Sequence, residues 1–293
     1  MNVQWYPGHM AKAKREIEEK IKLVDIVYEL VDSRIPYSSK NPMMTEILKN
    51  KHHIIIMTKT KMANPKLTKK WINYYEETGH HVIAIDSLAM ENVKKIEALT
   101  YEVLKDKIAK DLSRGLKKRA VKAMIVGIPN VGKSTLINKL VNKNVTITGN
   151  KPGVTKAQQW IRINQNLELL DTPGVLWPKF EDPKVGVHLA LTGAIKSEIL
   201  HNDDLVLYLL SFLKENYKGV IESRYSVEEY EDNVELLDAI MKKRGIHRDD
   251  YDRCYELLMN EFRNCKIGNI TLDLIWFTIY IATKKNCMKK GIS

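Results

Sequence analysis

The stretch GIPNVGKST at residues 127–135 fits the pattern GxxxxGK[ST]. It follows VKAMIVG at 121–127, an apolar run typical of a buried strand, and it precedes LINKLV at 136–141, which is typical of a helix. A strand, this loop and a helix in that order predict a phosphate-binding loop, whose glycines let backbone amides turn towards nucleotide phosphates. We expect nucleotide contacts from six residues: Asn130, Val131, Gly132, Lys133, Ser134 and Thr135.

Charge and metal chemistry are predicted for side chains of this loop and of two later motifs. Lys133 supplies a positive charge to the terminal phosphates, and the Ser134 hydroxyl binds Mg²⁺. The motif DTPG ends another apolar strand, so the Asp171 carboxylate can hold the magnesium shell while the Gly174 amide contacts a terminal phosphate. In the intervening motif KPGVT, Thr155 supplies a second magnesium hydroxyl only while a third phosphate is bound, as a switch segment does.

Apolar strand-like runs alternate with helical patterns over the first 177 residues. Strands are predicted at 24–32, 52–58, 81–86 and 121–127, and helices at 42–49, 65–78 and 91–110. Because these strands are apolar at consecutive positions, they predict an α/β fold with a mostly parallel sheet covered by helices on both faces. Two more strands, at 160–164 and 167–171, are separated by only two residues and predict an antiparallel hairpin.

Beyond residue 178 the strand-like runs largely stop. Helical patterns follow at 184–191, 204–217, 227–244, 249–264 and 271–284. The sequence therefore predicts two domains, a nucleotide-binding α/β domain at 1–177 and a smaller all-α domain at 178–293.

The order of the motifs is permuted. A nucleotide-binding G domain normally continues after DxxG with a strand that leads to the base-reading loop, whereas helices follow here. The missing strands lie upstream, where IIIMTKTK at 54–61 and AIDSL at 84–88 each end an apolar run. Both are in the positions of a base-recognition loop and a loop that contacts the base with its backbone. We expect base-side contacts from Thr58, Lys59, Lys61, Asp86 and Ser87.

With this order, and with QWYPGHMAKA at 4–13 and VDSRIPYSSKNP at 31–42, the sequence resembles the circularly permuted ribosome-assembly GTPases. The resemblance covers the first 177 residues densely and implies a circularly permuted P-loop G domain. It also implies a switch that binds GTP and GDP with Mg²⁺, hydrolyses GTP and acts late in assembly on the precursor of the large ribosomal subunit, with its rRNA and ribosomal proteins. We expect slow hydrolysis by the isolated protein and acceleration by the ribosomal particle.

The base loop departs from the family pattern. Family members have Asn-Lys-x-Asp, whose aspartate accepts the N1 and N2 protons of guanine, whereas this chain has TKTK and the donor Lys61 at the fourth position. The loss of such an acceptor costs about 1–3 kcal/mol, so guanine selectivity weakens by roughly tenfold or more unless Asp86 or Ser87 substitutes. Two alternatives stay open: a P-loop NTPase with relaxed or adenine selectivity, and an RNA-binding scaffold that does not hydrolyse nucleotide.

Hydrolysis requires a group that orients water. Val175 follows DTPG, where small G proteins that orient water usually have glutamine, and a valine cannot form the hydrogen bond. The family's matching PGHM histidine is implicated in catalysis, so we predict His9 and Lys133 as the catalytic residues. Asn130 matches a family pattern associated with bound K⁺, and a loop-stabilising role for Asn130 is an equal alternative.

The charge distribution and the composition of the sequence indicate which partners the protein binds and where in the cell it works. Residues 1–177 contain 30 Lys and Arg against 17 Asp and Glu, whereas the remainder contains 17 against 19, so polyanion binding is expected to centre on the first part. The three cysteines lack CxxC spacing, and the apolar runs are shorter than the roughly 20 residues that a membrane span needs. We expect a cytoplasmic protein that does not enter membranes and is a monomer away from the ribosome.

Overall fold

The computed structural model describes residues 7–141, 147–148, 160–172, 174–177, 180, 182–195 and 200–275. Of residues 7–11, 13 and 147–148 only the backbone is described. The helices are α1 Pro7–Lys20, α2 Pro42–Ile47, α3 Pro65–Glu77, α4 Lys95–Val103, α5 Lys105–Ser113, α6 Lys133–Leu140, α7 Pro183–Leu191, α8 Asn202–Asn216, α9 Val220–Tyr225, α10 Asn233–Arg244 and α11 Tyr251–Arg263. The strands are β1 Ile26–Asp32, β2 His53–Thr58, β3 His81–Ala84, β4 Val121–Gly127, β5 Ile147–Thr148, β6 Trp160–Arg162 and β7 Leu167–Asp171.

The seven strands form one sheet in the order β3-β2-β1-β4-β7-β6-β5. The five strands from β3 to β7 in this order are parallel to their neighbours, whereas β6 pairs antiparallel with both β7 and β5. The predicted mostly parallel sheet and the predicted hairpin are both confirmed. The carboxyl ends of β4, β1, β2 and β7 therefore meet at one edge of the sheet, where open α/β sheets bind ligands.

Helices cover both faces of the central strands, which explains their continuous apolar sequences. All seven residues of β1 are buried. Val31 and Ile55 pack with Trp71 of α3 on one face, whereas Ile54 and Leu136 belong to the core on the other face. Strands that are buried on both faces have no solvent side on which polar residues would alternate.

The helices differ from the sequence predictions in several places. The predicted helix 91–110 is two helices, because Leu104, with φ −94° and ψ 5°, ends α4 and precedes α5. The predicted helix 227–244 begins only at α10, since the Asp232 carboxylate caps the amides of Val234 and Glu235. Helix α9 and helix α1 were not predicted.

The predicted helix 271–284 is wrong over its first four residues. Residues 271–274 are not helical. The amide of Leu272 donates to the carbonyl of Arg34 at 2.8 Å, and the Trp71 indole donates to the carbonyl of Asp273 at 3.0 Å. This segment therefore returns to the α/β part of the chain and uses its backbone groups there. Residues 276–284 lie outside the described residues.

One hydrophobic core continues from the sheet into the helical part. Leu209 and Leu210 of α8 pack with Leu258 and Phe262 of α11 in the same cluster as Leu176 and residues of β4. The domain boundary at 177/178 stays a prediction. Residues 272 and 273, which follow this boundary in the sequence, contact Arg34 and Trp71, which precede it. Within the described ranges, the helices are all too short or too polar to traverse a lipid bilayer.

Candidate nucleotide-binding site

The predicted strand, loop and helix around residue 130 are present. Strand β4 ends at Gly127, where a Cβ atom would lie 2.9 Å from the Leu30 carbonyl oxygen of β1, so glycine allows this close approach. Asn130 and Gly132 have φ angles of 56° and 108°, both in the left-handed region. Backbone turns of this kind form the concave runs of N–H groups that bind anions. Helix α6 then begins at Lys133 and brings the positive end of its dipole to the same loop.

Lys133 is folded back onto the loop that it belongs to. Its Nζ donates to the carbonyl oxygens of Gly127 at 3.1 Å and Ile128 at 3.0 Å, and the residue is 9% exposed. Burial lowers the pKa of the Lys133 ammonium to about 8, and the charge of Asp171 acts in the opposite direction. The loop therefore holds the Lys133 ammonium group by hydrogen bonds to two carbonyl oxygens. A phosphate can replace these oxygens as the acceptor.

Oxygen donors for a magnesium ion lie at the edge shared by β4 and β7. Ser134 is exposed on the first turn of α6, and Asp171 is the last residue of β7, the hydrogen-bonded neighbour of β4. Burial raises the pKa of Asp171, while the charge of Lys133 lowers it. A hydroxyl and a carboxylate are ligands that Mg²⁺ prefers, so these two residues fit the ion. Thr155, the third predicted ligand, lies outside the described residues.

The segment after Asp171 closes against the phosphate-binding loop. The Thr172 hydroxyl donates to the Ile125 carbonyl of β4 at 2.6 Å, and the amide of Val175 donates to the Gly127 carbonyl at 3.1 Å. At Gly174, a Cβ atom would lie 2.8 Å from the Cα and N atoms of Pro129 and 3.1 Å from Lys133 Nζ. This close packing against the phosphate-binding loop admits only glycine at residue 174, and the predicted contact of the Gly174 amide with a terminal phosphate stays a prediction.

The predicted base loop lies directly against the phosphate-binding loop. The Thr58 hydroxyl donates to the Val131 carbonyl at 2.6 Å, and Lys59 Nζ donates to the Asn130 carbonyl at 2.7 Å. The Thr58 hydroxyl is buried and its proton is directed to the backbone carbonyls of Val31 and Val131, and the predicted contact of Thr58 with the base stays a prediction. The two residues therefore fasten the base loop to the phosphate-binding loop.

The second predicted base-side loop, which contains Asp86 and Ser87, is a tight loop that ends at Glu91. Asp86 and Glu91 exchange backbone hydrogen bonds of 3.2 and 3.0 Å, and the Asp86 carboxylate accepts from the amide of Ala89 at 2.8 Å. The Ser87 hydroxyl is buried and has no hydrogen-bond partner among the described residues. Lys61 forms an ion pair with Glu91 at 2.7 Å, so the two predicted base-side loops are linked by their side chains.

A buried ion cluster beneath the base loop was missed by sequence reasoning. Asp32, 2% exposed, accepts two hydrogen bonds from the Arg34 guanidinium, at 3.0 and 2.7 Å, and one from Lys59 at 2.8 Å. These cations hold the pKa of the Asp32 carboxyl well below its ordinary range, against the effect of burial. The only signal was the VDSRIPYSSKNP motif, which supported the family resemblance without indicating a role.

Three donors from different elements converge on the carboxyl end of α7. Asn130 donates to the Gly193 carbonyl at 2.7 Å, and Arg34 donates to the Thr192 carbonyl at 3.3 Å. Arg263 of α11 donates to the carbonyl oxygens of Leu191 at 3.1 Å and Ala190 at 2.8 Å. The last carbonyl groups of a helix have no partner within the helix, so these donors satisfy them. The phosphate-binding loop and the helical part are thus joined by hydrogen bonds.

His9 is the one predicted catalytic side chain that is not described. Its backbone belongs to α1, and its side-chain position lies outside the described residues. Ile17, about two turns further along α1, packs with Val126 and Val175. Helix α1 therefore runs beside the segment that follows DTPG, and the catalytic role of His9 stays a prediction.

Comparison with known proteins identifies similar sequences and folds. Residues 122–244 match the family model described as 50S ribosome-binding GTPase. The chain is 52% identical to "Ribosome biogenesis GTPase A" of Priestia megaterium over 279 residues, covering 93% of this chain and 97% of the relative. It is 50% identical to the protein of the same name from Bacillus cereus, covering 93% of this chain and 94% of that one. A crystal structure of GNP-bound YlqF from T. maritima is similar with a TM-score of 0.62 and 26% identity, covering 89% of this chain and 97% of that chain.

Proposed function

Because the chain belongs to the ribosome biogenesis GTPase A family, it is a GTP-binding and GTP-hydrolysing protein of ribosome assembly, and we propose that it acts as a switch on the precursor of the large ribosomal subunit. The family resemblance inferred from the sequence motifs is confirmed. A P-loop NTPase with relaxed or adenine selectivity and a scaffold without hydrolysis are not favoured, since the relatives and the matching family model are GTPases.

The main observation that supports the proposed nucleotide switch is the position of Lys133. Its ammonium group now hydrogen-bonds to two carbonyls of its own loop, at 3.1 and 3.0 Å. The terminal phosphates of GTP offer stronger, charged acceptors, so we expect Lys133 to leave these carbonyls for the nucleotide. Backbone amides from Asn130 to Thr135 complete the phosphate contacts.

The proposed magnesium ligands are Ser134, Asp171 and Thr155. The ion, when bound, neutralises charge that develops on the phosphate oxygens. Thr155 can join only while the third phosphate is present, which makes the 151–155 segment a sensor of hydrolysis. The side-chain amide of Asn130 donates to the Gly193 carbonyl, and its side-chain oxygen, Oδ1, is the proposed ligand for K⁺.

The proposed general base or water-orienting residue is His9. Val175 has no polar side-chain atom, and its backbone amide and carbonyl are occupied by Gly127 and Asn41. A group from another element must therefore orient the attacking water, and an imidazole can do so near neutral pH. Because the water-orienting group comes from a different element than the phosphate-binding loop, we expect low turnover by the isolated protein and acceleration by the ribosomal particle.

The proposed output is the helical domain at 178–293. Gly174, which contacts the phosphate-binding loop, is three residues before the end of the α/β domain at 177, and Asn130 binds the carboxyl end of α7. Loss of the third phosphate would release the DTPG segment and change how the helical domain meets rRNA and ribosomal proteins. We propose that the protein works in the cytoplasm, where ribosomal particles are assembled, and is a monomer away from them.

Turnover and sedimentation experiments test this proposal. Phosphate release from GTP is measured with and without purified large subunits, and co-sedimentation with the subunits is compared under GDP and a non-hydrolysable GTP analogue. We expect faster release with subunits and stronger co-sedimentation with the analogue. Lys133→Ala should abolish both effects, while Lys139→Ala, an exposed lysine on the same helix, should leave them intact. Equal binding and equal turnover in all states would contradict a switch.

A further inference from the structure

The chain lacks the acidic residue that reads guanine in the family's base loop, yet a carboxylate stands beside that position. Lys61 occupies the fourth position of the TKTK loop, and its Nζ lies 2.7 Å from Glu91 Oε2. Glu91 belongs to the second base-side loop, 86–91, so this ion pair bridges the two loops. Neither side chain is buried: they are 64% and 47% exposed.

The loops are fixed at the distance that such a bridge needs. Thr58 and Lys59 anchor the first loop to backbone carbonyls of the phosphate-binding loop. The amide of Thr60 donates to the Ile85 carbonyl at 3.4 Å, which joins the first loop to the end of β3. The paired backbone hydrogen bonds of Asp86 and Glu91 close the second loop. A nucleotide whose phosphates lie at residues 127–134 therefore meets both loops with its base.

The chemistry of the pair complements the edge of guanine. That edge carries one acceptor, O6, and two donors, the N1 proton and the N2 amino group. Lys61 can only donate, and the Glu91 carboxylate can only accept. We propose that Glu91, held by Lys61, accepts the N1 and N2 protons of guanine and replaces the aspartate that is missing from the base loop, while Lys61 donates to O6.

Two observations support this assignment over the earlier candidates Asp86 and Ser87. The Asp86 carboxylate is buried and already accepts the amide of Ala89, so it serves to shape the loop. The Ser87 hydroxyl is buried without a partner in the described part of the chain, but a neutral hydroxyl is a weaker acceptor than a carboxylate. An exposed ion pair costs little to rearrange, and a base that covers it strengthens its hydrogen bonds by excluding water.

The inference rests on the proposed guanine-nucleotide function, and the experiment separates the two. Fluorescently labelled GDP is bound to the full chain and displaced by GTP or by ITP, which lacks the N2 amino group. For the wild type we expect GTP to compete at least about tenfold better than ITP. In Glu91→Ala, the affinity for ITP should fall because its N1 proton also loses the acceptor, the affinity for GTP should fall by a further factor of about ten, and the ratio of GTP to ITP affinity should approach one. Glu77→Ala removes an exposed carboxylate from α3 and should change neither value.

A second variant tests whether a carboxylate at residue 61 can replace that of Glu91. In the background of Glu91→Ala, the further change Lys61→Asp puts an acceptor at the family position and should restore the preference for GTP. Glu91→Gln keeps the shape of the loop and should behave like Glu91→Ala, which guards against a loss caused by misfolding. An unchanged GTP-to-ITP ratio in both Glu91 variants would overturn the role of Glu91 while guanine binding stands. Absence of saturable binding of labelled GDP to the wild type would instead overturn the proposed function.

Discussion

Removal of the Asp32 carboxylate is expected to destabilise the protein strongly. Asp32 lies at the end of β1 and accepts four hydrogen bonds, from Lys59 Nζ at 2.8 Å and from the backbone N, Nε and Nη2 of Arg34 at 3.0, 3.0 and 2.7 Å. Asp32→Ala leaves the Arg34 guanidinium, 3% exposed, without a counter-charge. The loss of one member of a buried ion pair costs about 3–5 kcal/mol in the free energy of unfolding.

Urea denaturation followed by circular dichroism measures this cost. With a dependence on urea of about 2–3 kcal/mol per molar, the midpoint of Asp32→Ala should fall by about 1–2.5 M at pH 7. Asp32→Asn keeps the side-chain volume and one acceptor oxygen, so its midpoint should lie between those of the wild type and Asp32→Ala. Glu102→Ala, which removes an exposed acid from α4, is the control and should leave the midpoint unchanged.

The effect should also depend on pH. The cations at Asp32 hold its pKa in the folded protein well below the ordinary value of 3.8. A carboxyl group with a depressed folded-state pKa stabilises the fold above the pKa of the unfolded chain, and this contribution is lost as the pH falls below about 4. The difference between wild type and Asp32→Ala should therefore be constant from pH 5 to 8 and shrink below pH 4. Equal midpoints at pH 7 would refute the reasoning.

Three further outcomes follow from the site. Because the pKa of Lys133 is about 8 and the bound phosphates require its protonated form, the affinity for GDP should fall by about tenfold between pH 7 and pH 9, as calorimetry would measure. Gly174→Ala introduces a Cβ atom 2.8 Å from Pro129, so single-turnover GTP hydrolysis should slow by about tenfold to a hundredfold while GDP affinity is retained. Asn130→Ala removes the donor to the Gly193 carbonyl, so the free energy of unfolding should fall by about 1 kcal/mol and amide exchange should accelerate around Gly193.

Each of these outcomes has a matched control or a contradicting result. Lys139→Ala retains Lys133, so its affinity for GDP should depend on pH as that of the wild type does. A constant affinity of the wild type for GDP from pH 7 to pH 9 would argue against the lowered pKa of Lys133. Unaltered hydrolysis by Gly174→Ala would show that the DTPG segment does not need its contact with Pro129. Asn138→Ala, on the exposed face of α6, should leave exchange at Gly193 unchanged.

The central sheet and the phosphate site could be predicted because their signals are local. Strand β4, its loop and α6 are contiguous, and the two-residue gap at Gln165 and Asn166 is sufficient to indicate the hairpin of β6 and β7. Helix limits were less accurate where a single residue decides them. The Asp232 cap delays α10 to Asn233, and the sequence EVLKDK at 102–107 contains no Gly or Pro that would indicate the end of α4 at Leu104.

Contacts between distant parts of the chain could not be predicted from periodicity. Arg34 and Thr192 are 158 residues apart, and the acceptor is a backbone carbonyl that leaves no trace in the sequence. The stretch 271–284, predicted as a helix, is mostly apolar, but Leu272 donates to the Arg34 carbonyl and the Asp273 carbonyl accepts from the Trp71 indole, and residues 271–274 are not helical. The bridge from Lys61 to Glu91 depends on a loop closure that only the structure reveals.

The side-chain donors that meet the carboxyl end of α7 all hydrogen-bond to main-chain oxygens, and this affects which residues can change during evolution. Every amino acid provides the same carbonyl group, so these bonds make no demand on the side chains at residues 190–193. The demand falls on Asn130, Arg34 and Arg263, whose side chains must reach those oxygens. Side chains at residues 190–193 can therefore change without loss of these bonds, within the limits set by the burial of Ala190 and Leu191 and the left-handed backbone of Gly193, whereas a change at any of the three donors removes its bond.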